Sequence, residues 1–427
     1  MDSKRPKVVF RERSFHKAGD SAILVEYGDL ILDFELRARI HAFETELQRR
    51  DVPGIWTTSP CIRSTMVRYN PLAISQTDLL EALVSVENLL PASMQDMTFP
   101  GRKIIFPIVL DDRWNRDALE RYSRSIRDEA VYLPSNIEYL ARNNGLSGGA
   151  EEALTLLVNT EWLVFGVGFY LACPFLIPID PRCRLVGQKM NPSRTYTPRG
   201  ALGIAGLVAA IYPIESPGGY QLFGRTLSPW QTWGRGTNFN PEQPWLLFPF
   251  DQLKFKVITE DEYIEVEKQF DSGRYNFEIE PTTFDMAQYK TFISSMEGDI
   301  RQFKSRQAGG VINEEAREVE LMRSWEGKRQ AAKENIAEVI ALKENITEST
   351  NAFTVKSSMS AVVWKIKCSP GDIINSSEDV LMILEAMKTE INVEAGEENV
   401  GRRVQEFGRD VKPGAVVHAG DTLVVLE

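Results

Sequence analysis

The C-terminal end of the chain spells one hairpin unit twice. Pro370-Gly371-Asp372-Ile373-Ile374, followed by Val380-Leu381-Met382-Ile383-Leu384-Glu385, returns as Pro413-Gly414-Ala415-Val416-Val417, followed by Thr422-Leu423-Val424-Val425-Leu426-Glu427. Each copy has the period-2 alternation of a half-buried strand, and neither can bury its apolar face alone. The two copies must therefore pair, about a pseudo-twofold axis. The expected product is a small flattened β-barrel over residues 353–427.

Between the copies lies Glu385-Ala386-Met387-Lys388-Thr389-Glu390. Val380–Glu385 and Ile391–Ala395 both read as strands, so Lys388 falls at the tight turn that joins them. A lysine at a hairpin tip is exposed and open to another enzyme. Most surface lysines are merely solvated. This one is flanked by a symmetric β-repeat and directly preceded by a methionine.

This segment resembles the biotin carboxyl carrier domain of biotin-dependent carboxylases, whose signature is a biotinylated lysine in Ala-Met-Lys-Met or a close variant. Here Thr389 follows the lysine. Lipoyl domains share the fold but usually carry Asp before the lysine, so Met387 favours biotin. The resemblance implies covalent biotin on Lys388, with Ala386 and Met387 as the flanking recognition residues, and a biotin ligase as partner. The lysine would be the root of a swinging arm that carries CO₂ between two active sites. The carrier supplies reach and effective concentration, not bond chemistry.

The rest of the chain divides by composition and period, giving an α+β, multidomain protein. Residues 14–100 alternate strand, helix, strand, helix: a short strand at Ala22–Val25, a helix over Leu30–Arg50, extended chain over Ile55–Tyr69 and a helix over Asp78–Leu90. Residues 101–270 open with a strand at Lys103–Leu110 and three helices, Asn115–Asp128, Asn136–Asn144 and Glu151–Asn159. From Trp162 to Phe255 they turn into short β-prone runs with a turn signal every 8–12 residues, the mark of a barrel or sandwich. Residues 283–346 read as a helical linker. Asp285 can cap its start, Gly309-Gly310 is expected to break it, and the charged stretch Asn313–Asn345 reads as a solvated helix. A thin stripe of Val319, Met322, Trp325, Ile336, Val339 and Ile340 allows a partner-docking coil instead.

Within residues 14–305 several stretches resemble the second half of the carboxyltransferase region of urea carboxylase, the allophanate hydrolase subunit 1-like module. They include Gly19-Asp20-Ser21-Ala22-Ile23-Leu24-Val25-Glu26-Tyr27-Gly28, Pro60-Cys61-Ile62-Arg63-Ser64, Asn191-Pro192-Ser193-Arg194-Thr195, and Ser216-Pro217-Gly218-Gly219-Tyr220-Gln221 with Gly224-Arg225-Thr226. The resemblance implies a ferredoxin-like α/β unit followed by a cyclophilin-like β-barrel. The order, with the carrier after the module, also agrees. The function implied is movement of a carboxyl group from carboxybiotin to urea or a similar small amide. The alternatives are a non-catalytic biotin carrier and scaffold, or a subunit of an amidase of the allophanate or 5-oxoproline hydrolase type. The family stretch Gly-Asp-Val-Tyr-Leu-Gly-Ala-Pro stands here as Gly168-Phe169-Tyr170-Leu171-Ala172-Cys173-Pro174, shorter and without the acid.

The glycine-bearing loop offers site material. Gly218 and Gly219 allow close backbone approach. Arg225 can fork onto a carboxylate, and Gln221 can both donate to and accept from an amide edge. Asn191, Arg194 and Tyr196 form a second polar cluster. His16, His41 and His418 lie away from these loops, so histidine acid–base catalysis is not expected. The chain shows no nucleotide-binding segment, so ATP-dependent charging of biotin falls to a separate biotin carboxylase. A first carboxyltransferase half is likewise expected on another subunit or domain.

Composition narrows the remaining classes. With 49 Lys+Arg against 60 Asp+Glu the net charge is −11, which disfavours nucleic acid. The four cysteines lie far apart with no CxxC pair, and there are 3 histidines, so no Cys/His zinc site is expected. Such cysteine usage fits a reducing, cytoplasmic setting. Neither a secretory leader nor an apolar run of membrane-spanning length is seen.

Overall fold

The computed structural model describes residues 13–168, 170–231, 234–347, 353–386, 389–409 and 411–427. The chain divides into two units, the first ending at Trp325 and the second running from Glu326 to Glu427.

The first unit begins with four antiparallel strands and two helices: β1 (Arg13–Lys17), β2 (Ala22–Tyr27), α1 (Phe34–Arg50), β3 (Ile55–Pro60), β4 (Ser64–Tyr69) and α2 (Gln76–Glu87). The strand order is β1-β2-β4-β3. β2 and β3 are thus parallel, joined through α1, with β4 inserted between them, the split βαβ of a ferredoxin-like unit. β1 fills the edge beside β2. Ile23, Val25 and Tyr27 of β2 and Val67 and Tyr69 of β4 pack against Ile40, Phe43 and Leu47 of α1 and Leu79, Leu83 and Val86 of α2. Asp33 caps α1, accepting from the Glu35 amide at 2.6 Å, so the helix starts later than its apolar pattern. The opposite stripe of α1, Phe34, Ala38 and Ala42, lies with Leu163, Phe165, Ile177 and Phe250 of the following barrel. A helix apolar on two faces binds the α/β part to the barrel part.

The barrel part comprises β5 (Thr98–Leu110), α3 (Arg113–Ser125), α4 (Asn136–Asn143), α5 (Gly149–Val158), β6 (Trp162–Val167), β7 (Pro174–Pro178), β8 (Ala201–Ala205), β9 (Val208–Ile211), β10 (Gln221–Thr226), β11 (Gln252–Val257), α6 (Glu260–Asp271) and β12 (Glu278–Asp285). The strands run β10-β8-β9-β7-β6-β11-β5, and β10 pairs back onto β5, so seven strands close. The 13-residue β5 makes this possible. Its first part pairs with β12, and its end, Ile108–Leu110, pairs with Thr226–Gly224. Gly224 is required at the closure, since a Cβ there would stand 2.7 Å from the Val109 carbonyl oxygen. Ile104, Phe106, Ile108, Trp162, Val164, Leu176, Ile204, Phe223 and Leu253 belong to the core.

Two helices come next, α7 (Met286–Ser295), capped by Asp285, and α8 (Glu297–Thr347), 51 residues without interruption. The break expected at Gly309-Gly310 does not occur. Gly310 is instead a packing residue: a Cβ there would meet the Arg142 and Asn143 carbonyl oxygens at 2.6 and 2.7 Å. Close seating of the helix outweighs the low helix propensity of glycine. Nor is the charged stretch uniformly solvated, because Glu314 and Glu318 are each 8% exposed.

The second unit adds β13 (Phe353–Lys356), β14 (Ala361–Ile366), β15 (Val380–Ala386), β16 (Thr389–Glu394), β17 (Val404–Phe407), β18 (Val416–Val417) and β19 (Thr422–Leu426). They form a four-stranded sheet, β16-β15-β14-β18, and a three-stranded sheet, β13-β19-β17. The sequence repeat is also a structural one. Gly371 and Gly414 both turn at positive φ, 101° and 85°. Ile374 and Val417 are buried while Ile373 and Val416 are exposed. The Val404 amide donates to Asp372 O and the Val363 amide to Ala415 O, both at 2.8 Å; in return Gly371 donates to Val404 O and Gly414 to Val363 O.

Candidate functional site

Two places gather the residues singled out in the sequence. The first is the β15–β16 hairpin. Its ladder runs from Val380↔Glu394 to Ala386↔Thr389. Ala386 packs at the margin of the second unit's core. Met387 and Lys388, which connect the paired residues 386 and 389 in the chain, lie outside the described residues.

The second place is a junction beside the barrel, a loop mouth where three segments meet: the β6–β7 turn, residues 188–197, and residues 212–220. Backbone pairing joins the last two. Arg194 and Gly218 exchange both amide hydrogen bonds, at 2.9 and 3.0 Å, and Met190 donates to Gly219 O at 2.7 Å. Gly218 is obligatory, because a Cβ would collide with the Tyr212 hydroxyl. The Ser216 and Tyr170 hydroxyls lie 3.1 Å apart, tying the β6–β7 turn to the same loop. That turn holds two non-glycine residues in the left-handed region, Leu171 at φ 45° and Ala172 at φ 51°, a strain of the kind concentrated at functional sites.

The structure brings Asn191, Arg194 and Gln221 to this mouth and leaves Arg225 apart. Gln221 and Arg225 are four residues apart, a spacing that places both on one face of a regular strand. A bulge between Leu222 and Gly224 intervenes, so Gln221 pairs with Ile204 and Arg225 with Ala201, an odd step that sends the two side chains to opposite faces. Arg225 donates to Arg199 O and to Glu267 Oε1, each at 2.9 Å. It stacks between Trp114 and Tyr263, 4.5 and 5.0 Å from their ring centres. The carboxylate that the sequence offered to Arg225 as a ligand is thus supplied by α6.

Arg194 has no carboxylate partner among the described residues. Its side chain is 1% exposed. Nε donates to Thr197 Oγ1 at 3.3 Å and Nη1 to Tyr220 O at 2.8 Å, while Nη2 is buried without a hydrogen-bond partner. Burial lowers its pKa to about 10, so it stays charged at neutral pH. Gln221 is fully buried; Nε2 donates to Gln188 O at 2.6 Å and Oε1 has no partner. Neither side chain can touch a ligand directly. Asn191 is exposed, but its backbone is fully engaged, its amide donating to Tyr132 Oη and its carbonyl accepting from Tyr132 Oη and Arg127 Nη1. Tyr196 turns aside to Glu215.

The reachable groups are ones that motif reading passed over. Tyr170, Ser216 and Tyr220 are half-buried and Lys189 is exposed, its Nζ 5.6 Å from the Tyr220 ring centre. Burial raises the Tyr170 and Tyr220 pKa values to about 12, so both hydroxyls remain neutral hydrogen-bond donors at neutral pH. Burial likewise holds the Cys173 thiol at about 12, so it is not a nucleophile. The available signal was the run Gly168–Pro174, already conspicuous for its composition. The mouth therefore combines hydroxyl donors with two cations, one at the rim and one beneath, which suits a small amide or carboxylate.

Residues 13–239 match the family described as carboxyltransferase domain, subdomain C and D. The chain belongs to this family. Beyond the carboxyltransferase C/D module the similarity continues: the chain is 32% identical over 429 residues to the urea amidolyase of Saccharomyces cerevisiae, covering 99% of this chain and 22% of that one. The crystal structure of Kluyveromyces lactis urea carboxylase superposes with a TM-score of 0.69 at 29% identity, over 97% of this chain and 35% of that one. A 5-oxoprolinase subunit of Bacillus subtilis is 28% identical over 250 residues, 57% of this chain and 92% of that protein. The chain spans a third or less of the length of the curated urea carboxylase and urea amidolyase relatives it matches.

Proposed function

We propose that the chain joins the C/D half of a carboxyltransferase to a biotin carrier and moves a carboxyl group to urea or a similar small amide. A biotin carboxylase and the other carboxyltransferase half, on other domains or chains, complete the enzyme. The observation that carries this reading is the span of the similarity. It follows the urea carboxylase and urea amidolyase relatives through 97–99% of the chain, whereas the 5-oxoprolinase relative matches 57%.

Biotin would be held by Lys388 in amide linkage. The hairpin suits this, because strand pairing runs up to Ala386 and Thr389 and leaves two connecting residues between them. When bound, the group supplies a ureido nitrogen able to carry the carboxyl. The barrel mouth does the rest by binding and orientation. Lys189 and the buried Arg194 make the mouth favourable to negative charge, and the Tyr170 and Ser216 hydroxyls hydrogen-bond the amide acceptor. Gly218 and Gly219 let the 212–220 loop seat against Tyr212 and residues 190–194, which fixes Ser216 and Tyr220 in place. Carboxyl transfer needs positioning and charge stabilisation here, not a protein nucleophile.

Streptavidin blotting of chain co-expressed with a biotin ligase tests the carrier assignment. Wild type labels and Lys388→Arg does not. An unlabelled wild type, or a label that survives the substitution, overturns it.

A further inference from the structure

The first half of α8 is seated on the barrel part at defined points. Phe303 is in the core and Gly310 lies against the 142–145 turn. Gln307 Nε2 donates to Asn144 Oδ1 at 2.8 Å and to Arg184 O at 2.9 Å. Glu314 meets Arg142 at 3.3 Å, and Glu318 pairs with Arg127 while accepting from the Val131 amide at 3.1 Å.

These contacts grip both ends of the segment 184–194 that leads into the barrel mouth. At the near end, Val186 N donates to Asn144 Oδ1 at 2.8 Å, and Val186 O accepts from Asn143 and Asn144. At the far end, Arg127 Nη1 and Tyr132 Oη both donate to Asn191 O at 3.1 Å, and Tyr122 Oη donates to Pro192 O at 2.9 Å. Between the ends, Gln188 O and Met190 N are bonded to Gln221 and Gly219.

Arg127 is the hinge of this arrangement. Its side chain is wholly buried, and Nε and Nη2 have no partner. Glu318 is the carboxylate that neutralises it. Without that carboxylate the guanidinium would be a buried charge held by a carbonyl, a phenol and the rings of Tyr132 and Trp325, and its movement toward water would carry Asn191 with it.

We infer that Glu318 is a positioning residue for the barrel mouth: from the helix that leads on to the carrier, it fixes Arg127 and thereby sets the Asn191–Arg194 turn against which Gly218–Gln221 is aligned. The inference rests on the mouth being the acceptor site.

The test uses the full biotinylated chain, with the carboxylase and the other carboxyltransferase half supplied for turnover. Amide exchange across 187–194 and urea-dependent kcat are measured for Glu318→Ala and Glu318→Gln. For Glu318→Ala, exchange in 187–194 should quicken about tenfold, with the β5, β6 and β11 amides unchanged, and kcat should fall about tenfold. Glu318→Gln, which keeps one of the two acceptor oxygens but not the charge, should fall between wild type and Glu318→Ala in both and decides the matter if the alanine variant does not fold. Unchanged exchange in 187–194 overturns the inference, and so does faster exchange with unchanged kcat. In the latter case Arg194→Lys separates the two claims: slowed transfer leaves the acceptor site standing, and unaltered transfer removes it too.

Discussion

Glu267 Oε1 accepts a hydrogen bond from Arg225 Nη2 at 2.9 Å and another from Arg199 Nη2 at the same distance. One carboxylate on α6 thus secures two arginines, one on the barrel-closing strand β10 and one on the loop before β8. Removing one partner of a largely buried pair costs about 3 kcal/mol. Arg225→Ala should therefore lower the melting temperature of the first unit markedly. It should leave Lys388 labelling intact, since the second unit has its own core. Thermal denaturation with a parallel streptavidin blot checks both statements.

Gly309 and Gly310 are neighbours with opposite expected behaviour. A Cβ at Gly309 meets nothing within 4 Å, whereas one at Gly310 would lie 2.6 Å from the Arg142 carbonyl oxygen. Gly309→Ala should stabilise by up to about 1 kcal/mol through helix propensity. Gly310→Ala should destabilise by about 1–3 kcal/mol through overpacking. Urea denaturation of the two variants measures the contrast.

Two groups, the half-buried His41 and the buried Asp112, give acid-range stability opposite slopes. His41 lies against Phe99 and Phe250, and burial, with Arg37 nearby, lowers its pKa to about 4. The unfolded chain binds a proton below about 6.5 that the folded one refuses, so this contribution to stability is lost as pH falls from 6.5 to 4. Burial raises Asp112 to about 6, so its contribution is present at low pH and lost as pH rises from 3.8 to 6. Relative to wild type, His41→Leu should gain stability as pH falls through that window, and Asp112→Asn as pH rises, each on the order of 2 kcal/mol. Denaturation midpoints at pH 4, 5, 6 and 7 give the slopes.

At the mouth, Lys189 and Tyr170 can be altered without opening the core, since neither is fully buried. Lys189→Ala should slow transfer about tenfold by removing a cation from the rim. Tyr170→Phe should do so less, because Ser216 remains. Neither should change biotin labelling. Transfer at the wild-type rate in both would place the acceptor elsewhere.

The second unit's fold is legible in the sequence because its determinants are local. The alternation, the two Pro-Gly turns and the repeat spacing are all written within short windows, and the paired burial of Ile374 and Val417 follows from them. The barrel is legible as a class but not in its closure, which joins Ile108–Leu110 to Gly224–Thr226 across more than a hundred residues without a local signal. The glycine pair in α8 reads as a break because propensity is local, whereas tertiary packing explains Gly310. Arg225 looks like site material because it follows a glycine-rich loop. A bulge at Leu222/Gly224, which no spacing rule reveals, turns it to α6. Arg194 does belong with the loop, but its burial puts the reachable work on Lys189, Tyr170 and Ser216.

The carboxyl group itself can be followed from carrier to acceptor. Biotinylated chain is charged with labelled bicarbonate by a biotin carboxylase and ATP, freed of nucleotide, and mixed with the other carboxyltransferase half and urea. Label is expected on the peptide containing Lys388, lost on mixing with urea and recovered in a small carboxylated amide, with Lys388→Arg never labelled. Label that leaves only as CO₂, at a rate indifferent to urea and to other small amides, would contradict the proposed transfer.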